Sequence, residues 1–536
     1  MSDPRTTRGR VGGLGALFFL GSLGAIAFYV QQQEVPQARD EVRKTATILP
    51  EVVEEPASPT LPWQDRLDLN AATLRPFGPT PTPGAAPEAP AGDEGAALTE
   101  VVVDPENARL VQDINDGHRI LLTLDPVLQD SALTIFRNRE VPYAAAVMLD
   151  LHDNSVLALA GHSSMDPSVD PLEVATAAWA PAASTFKLIT TAALLDSQAA
   201  TPTSRVCFHG GLHGIEDDAL RDDPARDTRC ETLSNAVAHS YNLVIAKLAM
   251  RHLPQDTLLG MAKTMQFESE IPFDIPVERS PAHIPADPVE RAKVAAGFWN
   301  IDLSPMHGAI IASIFARGGV YQPPHVIAQV IGPDGSDLSP ARSKSQRVLA
   351  RDVATAVGQM MVGTTRDGTA RKSFRDTQGN DYVPGVAVAA KTGSLTGKRS
   401  PALNYNWFIG YAPADNPEIA FAVLLANEPK WRIKAHYAGR RLVQIYLQRR
   451  AEIARQRDAR LQPDALVLPE RDPSGALLTS SATKTGDGTK GSAASAKGDG
   501  GTPPPGTQSK AAASSKTDSS PLPPVPGELP PPPTGT

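Results

Sequence analysis

Cysteine is nearly absent, with two residues, Cys207 and Cys230, in a chain of 536. His209 and His213 stand near Cys207, but further ligands at finger-like spacing are missing, which argues against a metal site. An excess of positive charge is missing too. Lys and Arg number 51 against 59 Asp and Glu, a formal net charge of −8. That balance gives no reason to expect a nucleic-acid partner. No internal repeat of useful length is present. Apolar content is thin towards both ends. Residues 31–115 are acidic and rich in Pro, Ala and Glu ("PEVVEEPASPTLP") and read as a linker, with one short helix suggested near "WQDRLDLNAATL". From 461 the chain is a Ser/Thr/Lys/Gly/Pro-rich tail, and it too lacks the side chains to build a core.

One long uncharged run stands out, from Val11 to Val30, preceded by Arg5, Arg8 and Arg10. Twenty helical residues span a hydrocarbon layer of about 30 Å. The arginines put residues 1–10 in the cytoplasm and the rest of the chain outside. A retained single-pass anchor is the reading; a signal peptide cleaved after Ala25-Ile26-Ala27 is its rival, and either exports the chain. In an exported chain Cys207 and Cys230 could close one disulfide, worth roughly 3 kcal/mol by loop entropy, with two free thiols as the alternative.

Between linker and tail lies a patterned block, residues 116–460. "YAAAVMLDLHDNSVLALAG" reads as a hairpin, "STFKLITTAALLD" as a helix, and "SNAVAHSYNLVIAKLAMRHL" as a run of helix. "SPMHGAIIASIFARGG" starts on Ser-Pro and stops at Gly-Gly, as a helix should. "VAVAAKTG", "YNWFIGYA" and "EIAFAVLLAN" predict a three-stranded meander, and "AHYAGRRLVQIYLQRRAEIARQ" a closing helix. Strands at both ends with helices between predict an α+β domain, an antiparallel sheet packed on a helical cluster.

Three short motifs in this block carry chemistry. Ser184-x-x-Lys187 puts a hydroxyl and an amine on one helix face. Serine is a poor nucleophile until its proton is removed, which a lysine can do once burial or nearby positive charge lowers its pKa. A helix start adds free N–H groups suited to an oxyanion. By itself the pair is more often a capping serine and a surface lysine, since capping serines are common. Ser240-Tyr241-Asn242, on helix or loop, offers a hydroxyl to relay a proton and an amide to hold a substrate. Lys391-Thr392-Gly393-Ser394 ends a strand with a cation and hydroxyls for a carboxylate, and a glycine for close approach. Spelling alone is weak. The tail repeats both outer motifs in "SATKTG" (Ser481, Lys484, Thr485, Gly486) with no element to carry them, and that copy is assigned no role.

The order and context of the first set are specific. Together with "RILLTLDPVLQDSALTIF", "GFWNIDLSPMHGAIIASIFARGGVYQPP", "GTARKSF" and "NWFIGYAP", they resemble the penicillin-recognising serine acyltransferases and hydrolases over residues 117–450. The likeness is to the transpeptidase domain of penicillin-binding proteins. It implies that Ser184 attacks the D-Ala-D-Ala carbonyl of a peptidoglycan stem peptide, and is acylated by β-lactams. Lys187 would be the base, and Ser240 would pass a proton to the leaving group. Asn242 would hold the substrate amide and Lys187. Lys391 would set the potential, Thr392, Gly393 and Ser394 would bind the carboxylate end, and the Ser184 and Ser394 N–H groups would form the oxyanion hole. Ala390 stands where the family often has Gly, and Ser394 where it often has Thr.

A class D-like β-lactamase or sensor domain is the first alternative, since "STFK" also fits that class, but those proteins carry valine where Asn242 stands. A D,D-carboxypeptidase and a non-catalytic wall-binding protein are the others. The stretch before residue 117 is too short and polar for a glycosyltransferase domain, so the resemblance implies a monofunctional, class B-like enzyme. The large N-terminal domain usual in that class is not evident. The implied location is the bacterial cytoplasmic membrane, with the catalytic domain on the periplasmic side and a separate glycosyltransferase as a partner. No metal or organic cofactor is implied.

Overall fold

Strands with both faces covered read as unbroken apolar runs rather than as alternations, and that is how the centre of this protein is built. A computed structural model describes Leu69 and residues 101–104, 109–114, 117–211, 214–397, 402–429 and 432–460. Its main sheet has five antiparallel strands: β1 (Tyr143–Asp150), β2 (Val156–Ser163), β3 (Ala389–Thr396), β4 (Asn404–Ala412) and β5 (Ile419–Asn427). The order is β3-β4-β5-β1-β2, so the β1–β2 hairpin and the late meander join through β5 and β1, and β3 forms an edge. Every residue of β5 is buried.

Helices cover both faces of this sheet. On one side the helices α1 (Pro126–Asn138) and, at the end of the block, Ala435–Arg460 form a core with the sheet through Leu128, Phe136, Phe408, Phe421 and Leu442. The other side takes a helix at Pro305–Ala316, where Gly308 lets its backbone close on Ile409 and Ala422. Its start follows the sequence: the Ser304 hydroxyl accepts from the His307 N–H, Pro305 follows the cap, and Gly318 and Gly319 end it with positive φ. A cluster of shorter helices completes the domain, among them α2 (Lys187–Asp196), α3 (Leu233–His239), α4 (Asn242–His252) and α5 (Pro288–Ala295). The expected mix of helix and antiparallel sheet is what the structure has.

Two expectations need correction. Val101–Asp104 and Arg109–Asp113, placed in the linker by their surroundings, are strands; they pair with each other, Arg109–Asp113 pairs with Arg119–Leu122, and that strand pairs with Ile327–Ile331, giving a second antiparallel sheet. The β-branched run Val101-Val102-Val103 outweighs the Pro- and Ala-rich bias of its neighbourhood. The single helical run expected around Ser240 is broken in two. Ser240 takes the left-handed conformation, φ 60 and ψ 39, and Tyr241 returns to extended backbone before α4 begins. Leu69, inside the suggested short helix, is helical and buried. Cys207 and Cys230 are joined, across the paired strands Arg205–Phe208 and Arg229–Thr232. The apolar run 11–30, His213 and the tail beyond 460 lie outside the described residues. Among the described residues no helix is long and apolar enough to cross a membrane.

Candidate active site

Ser184 sits in a 3-10 turn, Ala183–Phe186, that runs directly into α2. Its hydroxyl caps nothing: neither the turn nor α2 has a side-chain cap, and the neighbouring Thr185 hydroxyl donates instead to the Ala182 carbonyl at 2.6 Å. The serine is therefore free for other work, half-buried at the floor of a cleft of about 560 Å³. Ala183, just before it, has φ of 50°, a conformation L residues seldom adopt.

Lys187 Nζ lies 2.7 Å from Ser184 Oγ and donates to the Ala296 carbonyl at 2.5 Å. The side chain is fully buried. Desolvation drives its amine well below the ordinary lysine range, and the Lys391 cation adds to the effect. Both effects favour the uncharged amine, the form that can accept a proton.

Ser240 and Asn242 reach the same cleft from the break between α3 and α4. Lys391, near the start of edge strand β3, donates to Ser240 Oγ at 2.9 Å and to the Thr392 carbonyl at 2.8 Å. It too is fully buried, and burial lowers its pKa to about 7. The tertiary fold thus brings together residues 151 positions apart. Thr392, Gly393 and Ser394 line one wall of the cleft, with the Ser394 side chain exposed. At Gly393 an added Cβ would press on Thr185 and on Trp407, each at 3.1 Å. The close approach read from this glycine is by side chains from the turn that carries Ser184 and from β4.

Several participants carried no signal in the three motifs. Trp407 Nε1 donates to the Pro181 carbonyl at 2.8 Å and so ties the sheet to the segment before Ser184. Thr369 Oγ1 lies 2.6 Å from Thr392 Oγ1 and orients it; it belongs to "GTARKSF", which stood out only as a string. Gly297, after α5, has φ of +89°, and a Cβ there would meet the Ala183 carbonyl oxygen at 2.3 Å and Ser184 Cα at 2.9 Å. His436 also lines the cleft; its Nδ1 lies 2.6 Å from Ser373 Oγ, and burial, with Lys434 and Arg440, holds it at about 4, uncharged.

A half-buried serine against a fully buried lysine, beside a lysine-bearing edge strand, is an arrangement suited to serine acyl transfer. The profile of the penicillin-binding protein transpeptidase domain matches residues 144–445, and the chain belongs to that family. Peptidoglycan D,D-transpeptidase PbpA of Mycobacterium tuberculosis is 27% identical over 315 residues, 53% of this chain and 62% of the relative. Stage V sporulation protein D of Bacillus subtilis is 25% identical over 340 residues, 60% of this chain and 51% of the relative. The chain thus spans between half and two thirds of these relatives' lengths. Among solved structures, penicillin-binding protein A of M. tuberculosis, as an imipenem acyl-enzyme complex, superposes with a TM-score of 0.52 at 26% identity, covering 61% of this chain and 79% of that one.

Proposed function

We propose that this protein is a serine D,D-transpeptidase that cross-links peptidoglycan stem peptides through an acyl-enzyme on Ser184, and that β-lactams inhibit it by acylating the same serine. The observation that carries the reading is the buried 2.7 Å approach of Lys187 Nζ to Ser184 Oγ, in one cleft with the Lys391–Ser240 pair. Relatives named as peptidoglycan D,D-transpeptidases and a neighbour trapped as an imipenem acyl-enzyme support it.

In the proposed reaction Lys187 takes the Ser184 proton as Oγ attacks the penultimate D-Ala carbonyl. Backbone N–H groups of Ser184 and Ser394 stabilise the oxyanion, a contribution of about 3 kcal/mol per donor in comparable sites. The C–N bond breaks, and Ser240 passes a proton to the departing D-Ala amine; Lys391, hydrogen-bonded to Ser240, resupplies it. Asn242 holds the substrate amide. Thr392, oriented by Thr369, and Ser394 bind the terminal carboxylate, with Lys391 supplying the attraction. An amine of a neighbouring stem then attacks the ester, its proton passing through Ser240 back to Lys391, and Lys187 returns its proton to Ser184 Oγ as the ester C–O bond breaks.

In the same reading residues 11–30 hold the chain in the bacterial cytoplasmic membrane, residues 31–100 act as a spacer, and residues 101–460 work outside. A glycosyltransferase partner supplies the strands to be joined.

Labelling with a fluorescent penicillin, followed by mass spectrometry of the adduct, tests the proposal. The adduct should sit on Ser184, persist for many minutes and vanish in Ser184→Ala. Undiminished labelling of Ser184→Ala removes the nucleophile; rapid release of hydrolysed drug turns the reading to a β-lactamase.

A further inference from the structure

We propose that Thr190 is a positioning residue that aims the Lys187 amine at Ser184 by fixing the C-terminal end of helix α5 against α2. The inference rests on Ser184 and Lys187 acting as nucleophile and base. Thr190 stands three residues beyond Lys187, so the two side chains share one face of α2. Both are fully buried. They reach two successive carbonyls at the end of α5: Thr190 Oγ1 donates to Ala295 O at 2.8 Å, and Lys187 Nζ donates to Ala296 O at 2.5 Å.

A threonine inside a helix ordinarily turns its hydroxyl back to the carbonyl four residues earlier. Here that contact, to Phe186 O, is 3.4 Å, and the shorter bond crosses to the other helix. Two bonds from one helix face to adjacent carbonyls define a register that one bond leaves loose.

The register has a chemical consequence. A neutral amine has two N–H bonds and one lone pair. With one N–H committed to the Ala296 carbonyl, rotation about Cε–Nζ is restricted and the lone pair can be held towards Ser184 Oγ. Once the amine takes the serine's proton, the same carbonyl, at the negative end of α5, stabilises the cation. Gly297 completes the arrangement, since its missing Cβ lets the turn lie directly against Ala183 and Ser184.

The experiment compares full-length wild type, Thr190→Val, Thr190→Ser and Thr191→Val. Stopped-flow binding of a fluorescent penicillin separates the non-covalent dissociation constant from the first-order acylation step, and a thermal melt follows each variant. Thr191 is the control: it is adjacent and fully buried, and its hydroxyl has no hydrogen-bond partner among the described residues. Loss of one hydrogen bond's worth of alignment predicts about a tenfold slower acylation step in Thr190→Val. Its dissociation constant should change less than about twofold, Thr190→Ser should regain most of the rate, and Thr191→Val should match wild type. Wild-type acylation by Thr190→Val, no regain with Ser, or equal slowing by Thr191→Val overturns the proposal. Should Thr190→Val fail to fold, Thr190→Cys replaces it: a rate near wild type overturns the inference, and slowing of about tenfold supports it. A wild type that takes up no penicillin on Ser184 ends both this inference and the function it rests on, whereas a normally labelled Thr190→Val ends the inference alone.

Discussion

Gly297→Ala tests the contact on which the position of Ser184, the proposed nucleophile, depends. The backbone there has φ of +89°, and an alanine Cβ would stand 2.3 Å from the Ala183 carbonyl oxygen and 2.9 Å from Ser184 Cα. Non-bonded carbon atoms rest at about 3.5–4.0 Å, so one backbone must yield by about 1 Å. Overpacking of this kind costs about 1–3 kcal/mol and the left-handed conformation about 1–2 more. The larger effect should be kinetic, because a 1 Å displacement of reacting groups costs about a hundredfold in rate. Acylation by a fluorescent penicillin, followed by stopped flow alongside a urea melt, measures both. Gly260→Ala serves as the reference: nothing lies within 4 Å of its added Cβ, and in a helix it should stabilise by about 0.5–1 kcal/mol. A Gly297→Ala protein that acylates within twofold of wild type, with an unchanged melt, would refute the reasoning.

Other outcomes follow from the buried charges. Lys187→Ala removes the proposed base and should slow acylation by about 10²–10⁴ with little change in non-covalent binding; an unchanged rate in a single-turnover assay assigns the proton elsewhere. In the proposed reaction the Lys391 cation draws the drug's carboxylate; burial lowers its pKa to about 7, so second-order acylation should fall as pH rises through about 7. Lys391→Met should lack that limb, and a wild-type profile flat from about pH 6 to 9 contradicts it. His307 is fully buried and held at about 4 by desolvation, while the unfolded chain protonates near 6.5. The unfolded state therefore takes up the proton first. Stability is full above about pH 6.5 and falls towards pH 4, by roughly 2 kcal/mol at pH 5, which urea midpoints in wild type and His307→Gln would reveal. Asp227→Asn leaves the fully buried Lys247 without its 2.8 Å partner and should cost about 3 kcal/mol by urea melt, against less than about 1 for the exposed Asp222→Asn; equal costs contradict the pairing.

Much of the architecture was legible because it rests on local rules. The strands around Val147 and Val423 are unbroken apolar runs, that around Phe408 is rich in aromatics, and the helix after Ser304 carries its own cap, proline and glycine stop. The Ser184, Ser240 and Lys391 motifs could be picked out by order and context. What escaped was either imposed by packing or masked by composition. No glycine or proline announces the left-handed turn at Ser240, which tertiary packing imposes. The strands at 101–113 hide in a stretch of linker-like composition; they pair with each other and with 119–122, and it is 119–122 that joins the remote strand 327–331.

The amino-acid sequence by itself determined which side chains could do acyl-transfer chemistry and which elements would carry them, because propensity, periodicity and capping act within a few residues. Only the tertiary structure decided that Lys187 is stripped of water, that the Ala296 carbonyl and Lys391 stand beside it, and that Gly297 lies against the back of Ser184. Those are properties of distance and dielectric between segments remote in the chain, and no local pattern encodes them.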